Sequence, residues 1–506
     1  MDEEKMELLN APKTVTFKKQ AHRSKLSRFC SINRSTLRYK VFYFAQQLSA
    51  ATILTFMSVF FRYMGMSATQ TGVLIGLRPF VRLLAAPMWG IIADKTGRYR
   101  CILLMNIVLS VIIYFSLTGV LAVHEYDTAR MNVTQPVSPT KGHNTTALMD
   151  GVLEASKYHP YLTNSQTFWL LLVIVLCGDV FYAPILPVMD ATVTYWEGSQ
   201  NFGKQRMFDA LGFSLGSLLS GLAMDKTAGM DYFGIGNNGV SSWTPNYMTS
   251  FFMYLGGGIF MISVTSIMKF NVIMKERNEF PLDQLKNLLK SGPVLVFLVV
   301  AVLLGLINSA ATWYVYWFVQ DLGGTQFNVG LTETIMSLSQ AFFYYPGNVL
   351  EGRIGITWFM ALVCIVYGIQ LVIYSFMHSP WLILLVEIPH GFTYCAMQII
   401  CTTYASATAP KGLSATLQTV VYSTHFGLGW CLGSFIGGHC YEKYGARNLF
   451  RGLAVACVVM LFPIAILRVL IKKRAKSGEQ VFITDAVRTV EYEYIRGDYS
   501  RSSYVR

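Results

Sequence analysis

Long apolar runs recur along the whole chain, and short polar turns separate them. Each run is about twenty residues, the length that an α-helix needs to cross a hydrocarbon core ~30 Å thick. The pattern predicts an all-α membrane protein with twelve transmembrane helices. We expect these spans at roughly 41–62, 71–93, 101–123, 166–190, 207–225, 248–268, 293–320, 328–350, 355–377, 380–403, 413–438 and 452–471. An even number of spans places both termini on the same side of the membrane.

Composition supports the membrane assignment and excludes a soluble protein. Of the 506 residues, 53% are hydrophobic and 14% are charged, with a mean hydropathy of +0.42. Soluble domains carry about 25% charged residues. The deficit extends over the whole chain, so no part of it between the tails is expected to form a soluble domain.

Lysine and arginine placement predicts which side the termini occupy. If both termini are inside, 30 of the 41 basic residues fall in the inner segments. This asymmetry follows the positive-inside rule, so we expect cytoplasmic termini. The net charge of +13 is then a topology signal and requires no nucleic-acid partner.

The longest predicted outer loop, 124–165, contains two glycosylation sequons, at Asn132 and Asn144. Sequons are used only on the lumenal side, so their position agrees with this orientation. We expect a glycosylated multi-pass protein, located in the plasma membrane.

An internal repeat divides the chain into two halves. "LGFSLGSLLSGLAMDK", residues 211–226, and "LGWCLGSFIGGHCYEK", residues 428–443, share one frame of leucine, glycine, serine and an acid–lysine ending. They fall in the fifth and eleventh predicted spans, as two parallel six-span halves require. Small residues allow close helix packing in membranes, so we interpret their paired glycines as packing surfaces: Gly212, Gly216, Gly429 and Gly433.

These observations predict five regions. Residues 1–40 form a basic cytoplasmic tail suited to anionic membrane lipids, and 41–270 form the first six-helix bundle. Residues 271–292 are a cytoplasmic linker, 293–471 form the second bundle, and 472–506 form a cytoplasmic tail.

The turn after the second span carries a recognisable pattern, "GIIADKTGRYR", from Gly90 to Arg100. It resembles the signature of the major facilitator superfamily, whose fold consists of two pseudo-symmetric six-helix halves related by an axis along the membrane normal. By this resemblance the turn acts in gating, through Gly90, Asp94, Lys95, Gly97 and Arg98. An ordinary positive-inside turn is the alternative.

The resemblance narrows in "VEIPHGFTYCAMQIICTTYASATAP" and in "FGKQRMFDALGFSLG". Both are similar to the vertebrate group around major facilitator superfamily domain-containing protein 6. The group lies near the sugar/proton and nucleoside/proton symporters, so the resemblance implies a secondary transporter, a solute carrier.

Charged residues within the spans are candidates for the chemistry, because burying a charge in the bilayer costs about 2.5–3.5 kcal/mol on insertion scales. We expect Asp179 to pair with Arg78 or Arg82. We expect Glu387 to form a protonatable group with His390 or His425. The alternative is that these are fixed pairs that hold the bundle together.

Polar and aromatic side chains of the first and seventh spans are candidates for the substrate cavity: Gln47, Asn308, Trp313, Trp317 and Gln320. The stretch "ATWYVYWFVQD" could stack on a sugar or nucleobase ring. It could also form an aromatic belt at the membrane interface, which we favour. No phosphate-binding glycine loop, HExxH or CxxC motif is present, so we expect no enzyme activity, cofactor or metal site.

The sequence therefore predicts a secondary active, proton-coupled transporter of a small organic solute that works by alternating access. The alternative is a non-transporting receptor, or an accessory subunit for a membrane-protein partner, built on the same fold. The costly intramembrane charges favour the transporter.

Overall fold

The computed structural model describes residues 37–134, 161–197, 199–230, 245–268, 288, 290–409 and 414–476, and these residues form helices and short turns. The predicted tails fall almost entirely outside the described residues. So do Asn144 and most of the predicted linker.

The first half contains six helical spans. Span 1 comprises Leu37–Leu54 and Met57–Tyr63, span 2 is Ala68–Thr96, and span 3 comprises Tyr99–Phe115 and Leu117–Thr134. Span 4 comprises Asn164–Tyr182 and Ile185–Glu197, span 5 is Ser199–Lys226, and span 6 is Tyr247–Ile267.

The second half repeats this arrangement. Span 7 is Gly292–Asp321, span 8 is Gln326–Ile354, span 9 is Ile356–Ser375 and span 10 is Pro380–Thr408. Span 11 comprises Ser414–Ser423, the π-helix Thr424–Gly429 and the beginning of the helix Trp430–Lys476. Gly445 interrupts that helix with a φ of +78°, and span 12 follows it. We call the side where Leu37 and Lys476 lie the near face, and the opposite side the far face.

The turns of the two halves correspond. A glycine with positive φ, a conformation that other residues avoid because of Cβ clashes, follows the first, second and fifth span of each half. These residues are Gly65, Gly97 and Gly229 in the first half, and Gly323, Gly355 and Gly445 in the second.

Two of the twelve spans are more polar than a lipid-exposed helix. In the described residues, nine segments are long and apolar enough to cross a membrane, one of which, Leu417–Lys473, contains two spans. The two that fail this criterion are spans 5 and 8. These spans pack against each other between the halves, where the Thr334 hydroxyl donates to the Ser214 carbonyl over 3.0 Å. Polar groups at this contact therefore bond to protein and not to lipid.

The glycine frames of spans 5 and 11 lie against spans 1 and 7, respectively. A Cβ atom added at Gly212 would lie 2.3 Å from a carbonyl oxygen of span 1, and one at Gly433 would lie 2.3 Å from a carbonyl oxygen of span 7. Gly216 and Gly429 approach the same two spans with similar closeness. The repeated sequence thus produces the same close contact in each half.

Span 3 extends further than the sequence predicts. Its second helix ends at Thr134, inside the predicted outer loop 124–165, and Asn132 lies in its last turn. The carboxylate of Asp127 accepts the backbone N–H groups of Tyr161 and Leu162 at 3.2 and 3.4 Å. This contact joins the helix to the beginning of span 4 and explains why helix persists beyond the apolar run.

The two halves contact each other at the far face through spans 1 and 7. Arg62 Nη2 lies 2.6 Å from Asp321 Oδ1, and Arg62 Nη1 donates to the Trp317 carbonyl over 3.1 Å. Trp317 Nε1 donates to the Ser58 carbonyl over 2.9 Å. These bonds join span 1 to span 7 directly.

Spans 2, 5, 8 and 11 extend this closure. The Asp225 carboxylate accepts the backbone N–H groups of Gln326 and Phe327 at 3.1 and 2.8 Å. Glu442 accepts the Thr69 N–H at 2.9 Å. These hydrogen bonds and ion pairs between the halves lie at the far face, so the far face is closed.

Candidate functional site

Five of the six predicted intramembrane charge candidates lie in two clusters, one in each half. The first, which we call the Arg–Asp cluster, comprises Arg78 and Arg82 of span 2, Tyr114 of span 3 and Asp179 of span 4. Arg78 Nε donates to Asp179 Oδ2 over 2.7 Å, and Arg82 donates to Oδ1 from Nε over 2.7 Å and from Nη2 over 2.5 Å. Asp179 thus pairs with both arginines.

The Tyr114 hydroxyl completes the surroundings of Asp179. It donates to Asp179 Oδ1 over 2.8 Å and accepts from Arg78 Nη2 over 3.3 Å. The Asp179 side chain is fully buried and that of Arg78 is 4% exposed, whereas that of Arg82 is 32% exposed. Arg82 is therefore the most exposed member of the cluster.

Arg82 lies beside groups from spans 4 and 1. Its guanidinium carbon is 4.8 Å from the ring centroid of Tyr182, a favourable cation–π distance. The Tyr182 hydroxyl accepts from Gln46 Nε2 over 2.8 Å. These neighbours place Arg82 toward the interior of the first bundle.

The second cluster, which we call the Glu–His cluster, comprises Glu387 and His390 of span 10 and Tyr374 of span 9. His390 Nδ1 and Glu387 Oε2 are 2.8 Å apart, and both side chains are 1% exposed. The Tyr374 hydroxyl donates to Glu387 Oε1 over 2.5 Å. His390 Nε2 lies 3.5 Å from the Thr312 hydroxyl of span 7.

The sequence analysis missed a further buried acid, Glu333 of span 8, which is 5% exposed. The Tyr316 hydroxyl donates to it, and the Ser337 hydroxyl donates to its Oε1 over 3.0 Å. Glu333 interacts electrostatically with Glu387 and His390. Glu333 is the one charged residue within the predicted limits 328–350 of this span, near their start.

His425 does not join the Glu–His cluster. Its Nδ1 lies 2.9 Å from the Ala301 carbonyl oxygen of span 7, and its Nε2 is buried with no hydrogen-bond partner. The ring stands in the π-helix of span 11, a form of helix that is often found at functional positions. Of His390 and His425, only His390 contacts Glu387 in the described residues.

The predicted cavity residues are in different surroundings. Gln47 Nε2 donates to Asp209 Oδ2 over 2.9 Å, and Asn308 Oδ1 accepts from the Thr312 hydroxyl over 3.2 Å. Gln320 interacts with Tyr247 of span 6. These polar groups already have protein partners.

The favoured interpretation of "ATWYVYWFVQD" as an interfacial aromatic belt is wrong. Tyr314, Tyr316, Trp317 and Phe318 are only 1–5% exposed. Trp313 is half-buried, with its ring edge-to-face against Trp430 at 5.8 Å. Span 7 lies between the halves, so its aromatic rings pack against protein and do not face the lipid headgroups.

The turn after span 2 has the geometry of a sharp helix end. Gly97 adopts a φ of +65°, and its N–H donates to the Ala93 carbonyl over 2.9 Å. Lys95 and Arg98 are exposed and Gly90 is half-buried within the helix. The side chain of Asp94 lies outside the described part, so the proposed gating contact stays a prediction.

Comparison with protein families gives a match over most of the chain. The model of the MFS_1 like family matches residues 36–452. A Danio rerio protein named major facilitator superfamily domain-containing protein 6-like is 21% identical over 487 residues, which cover 85% of this chain and 86% of the relative. The maltose permease of Geobacillus stearothermophilus is 21% identical over 448 residues, covering 87% and 96%.

Solved structures share the fold at low sequence identity. The crystal structure of the nucleoside transporter NupG superposes with a TM-score of 0.62 at 14% identity and covers 86% of this chain and 99% of its own. A bacterial homologue of the human lysosomal transporter Spinster superposes with a TM-score of 0.57 at 13% identity, covering 86% and 95%. The arrangement of two six-helix bundles is therefore that of these transporters.

Proposed function

Because the chain belongs to the MFS_1 like family of membrane transporters, we propose that it moves a small organic solute by alternating access, with protons as the coupling ion. The observation that carries proton coupling is the Glu387–His390 pair of span 10. Imidazole is the side chain whose ordinary pKa lies nearest neutral pH, and burial of a carboxyl group favours its protonated form. Here they contact each other at 2.8 Å, and both are buried.

The partners of this pair allow a change of protonation. Tyr374 and Thr312 contribute hydroxyl groups, which can donate or accept a hydrogen bond. No fixed guanidinium or ammonium group of the described residues forms an ion pair with Glu387. A proton can thus be gained or lost without leaving a fixed cation unpaired.

The contacts between the halves support alternating access. The far face is closed by Arg62, Asp321 and Trp317 at the ends of spans 1 and 7, together with the Asp225 contact to the start of span 8. These contacts are hydrogen bonds between two separately packed bundles. Rocking of the two halves against each other would break them and open a path to the far face.

The names of the relatives guide the choice of solute class. NupG is a nucleoside transporter and the Geobacillus relative is a maltose permease. Both move small organic molecules, which fits the polar and aromatic groups around Arg82 and Trp313. We further propose that the termini are cytoplasmic, that the turn at Gly97 and Arg98 takes part in gating, and that the protein resides in the plasma membrane.

The test is solute-dependent proton movement in proteoliposomes that contain the purified full chain and a trapped pH-sensitive dye. Maltose, uridine, benzoate and choline are applied separately. We expect at least one of them to drive proton entry, and we expect Glu387→Gln to abolish that entry while surface expression and folding are retained. Glu125→Gln, at the far end of span 3, is the control. Equal proton entry with Glu387→Gln, or none with any solute for folded wild-type protein, would contradict the proposal.

A further inference from the structure

The Arg–Asp cluster has one more positive charge than negative charge. Arg78 and Arg82 contribute two guanidinium groups, which are always protonated in proteins. Asp179 is the one acid with which either forms an ion pair in the described residues. Asp209 interacts electrostatically with Tyr182 beside Arg82, but it forms no ion pair with either arginine in the described residues. A surplus charge within a membrane-spanning bundle is expensive, so a further anion beside the cluster is favoured.

Asp179 is shared by both arginines. Its Oδ1 accepts from Arg82 Nε, Arg82 Nη2, Arg78 Nη2 and the Tyr114 hydroxyl, while Oδ2 accepts from Arg78 Nε. Its single negative charge therefore balances one of the two guanidinium groups and not both. In the described residues, Arg82 Nη1 takes part in no hydrogen bond. Its N–H groups are therefore available to donate to a ligand.

The free donors are on the accessible arginine. The side chain of Arg82 is 32% exposed against 4% for Arg78. Its neighbours Tyr182 and Gln46 belong to spans 4 and 1, and Gln46 Oε1 is itself buried without a partner. With the far face closed, this exposed side is reached from the near face.

The Glu–His cluster of the opposite half contains no arginine or lysine that would attract an anion. The Glu–His cluster and Glu333 together contain two acids, and their one basic group is His390. An anionic solute between the halves would therefore turn its charged end toward the first half and its uncharged end toward the second.

From this charge distribution we propose that the transported solute is an organic monocarboxylate and that Arg82 binds its carboxylate. The proposal rests on the proposed function and names its substrate class. A carboxylate carries the single negative charge that matches the surplus, and its planar shape suits the donors of a guanidinium. A phosphate monoester carries −1.5 to −2 at neutral pH and would leave the site negative.

The test uses thermal unfolding of the purified full chain in detergent, in chloride-free buffer at constant ionic strength. The probes are pairs of equal shape and different charge: benzoate with benzamide and benzamidinium, and hexanoate with hexanamide. We expect at least one carboxylate to raise the Tm in a saturable way, and we expect its amide and the cation to leave the Tm unchanged.

Arg82→Gln distinguishes binding from a structural role. Because this substitution leaves the neutral Arg78–Asp179 pair intact, we expect the ligand-free Tm to stay the same or rise. We expect the Kd for the carboxylate to increase about tenfold or more, the loss typical of a charged hydrogen bond. Arg82→Lys keeps the charge and recovers part of the affinity, and Arg451→Gln, at the exposed far face, is the matched control.

A lower ligand-free Tm for Arg82→Gln with unchanged carboxylate affinity would overturn the proposal, as would stabilisation by amides as strong as by carboxylates. Stabilisation by no carboxylate, with folded protein, would also overturn it. The measurement is independent of transport. Carboxylate binding without proton movement would support the Arg82 site and contradict proton-coupled transport. Proton movement driven by maltose or uridine alone would support proton-coupled transport and contradict the carboxylate site.

Discussion

Asp179 holds the first half together electrostatically, because it is the acid that both arginines of span 2 contact. Its fully buried side chain receives hydrogen bonds from spans 2 and 3 while it belongs to span 4. Removing its charge would leave two guanidinium groups in the bundle without a counterion. Removing Arg82 instead leaves a balanced pair.

We therefore expect Asp179→Asn to destabilise the protein strongly, by about 3–5 kcal/mol, as is typical when one partner of a buried ion pair is lost. Thermal unfolding in detergent measures the change as a lower Tm. The double variant Asp179→Asn, Arg82→Gln removes one cation as well, so we expect it to regain part of the loss. If the stability loss of the double variant equals the sum of the losses of the two single variants, charge balance is not the cause.

The side chains of the two buried clusters differ in how readily the sequence reveals them. Arg78, Arg82, Asp179, Glu387 and His390 were all identified from the sequence, because a charge inside an apolar run is costly and conspicuous. Tyr114 and Tyr374 were not, since a tyrosine in a span is ordinary and its partner comes from another span. Glu333 lies close to the predicted start of span 8, where a charge attracts no notice.

At the scale of the elements, the glycine frames determine how spans 5 and 11 approach their partners. With no side chain at Gly212 or Gly433, the helix backbones come within contact distance of spans 1 and 7. Such contacts replace the hydrophobic driving force that is absent between helices in lipid. The same frame in both halves produces the pseudo-symmetry.

We expect Gly433→Ala to lower stability by about 1–3 kcal/mol, because the new Cβ would lie 2.3 Å from the Leu306 carbonyl oxygen and the helices would have to separate. Gly452→Ala is the control, since a Cβ at this position of span 12 has no heavy atom within 4 Å. Thermal unfolding of both variants measures the difference. Equal Tm values for the two would show that spans 7 and 11 are not closely packed in the protein.

Spans 5, 7 and 8 show why composition alone misjudges the surroundings of a helix. Spans 5 and 8 are polar and yet lie within the bundle, and the aromatic end of span 7 is buried between the halves. Each of these spans meets the other half of the protein. A helix surface that contacts protein can carry groups that lipid would not tolerate.

At the scale of the whole molecule, the far face is held closed in part by an exposed ion pair between the halves. The Arg62 and Asp321 side chains are 36% and 35% exposed, and ion pairs of this kind contribute about 0.2–1 kcal/mol. A closure of modest strength is what alternating access requires, because a strong one would trap a single state.

We expect Asp321→Asn to increase opening of the far face about two- to fivefold, as the loss of such an ion pair predicts. The readout is the rate at which a membrane-impermeant thiol reagent labels Ser58→Cys, a fully buried position whose carbonyl accepts from Trp317. Protein without Ser58→Cys gives the background from the native cysteines.

Arg451→Gln, whose side chain is exposed and bonds to Asn448 of its own helix, is the control and should leave this rate unchanged. An unchanged rate with Asp321→Asn would mean that the Arg62–Asp321 pair does not hold the halves together. A rate raised equally by both variants would point to a general effect of surface charge.

The sequence by itself determined the number of spans, their approximate limits, the division into two similar halves and the positions of the costly charges. These features are local or periodic, so apolar length, glycine spacing and charge placement along the chain are sufficient to reveal them. Only the tertiary structure decided that both arginines share Asp179, that Glu387 meets His390 and not His425, and that the far face is closed. Those facts depend on how helices distant in sequence are rotated and packed against each other, and no single stretch of the chain encodes that rotation.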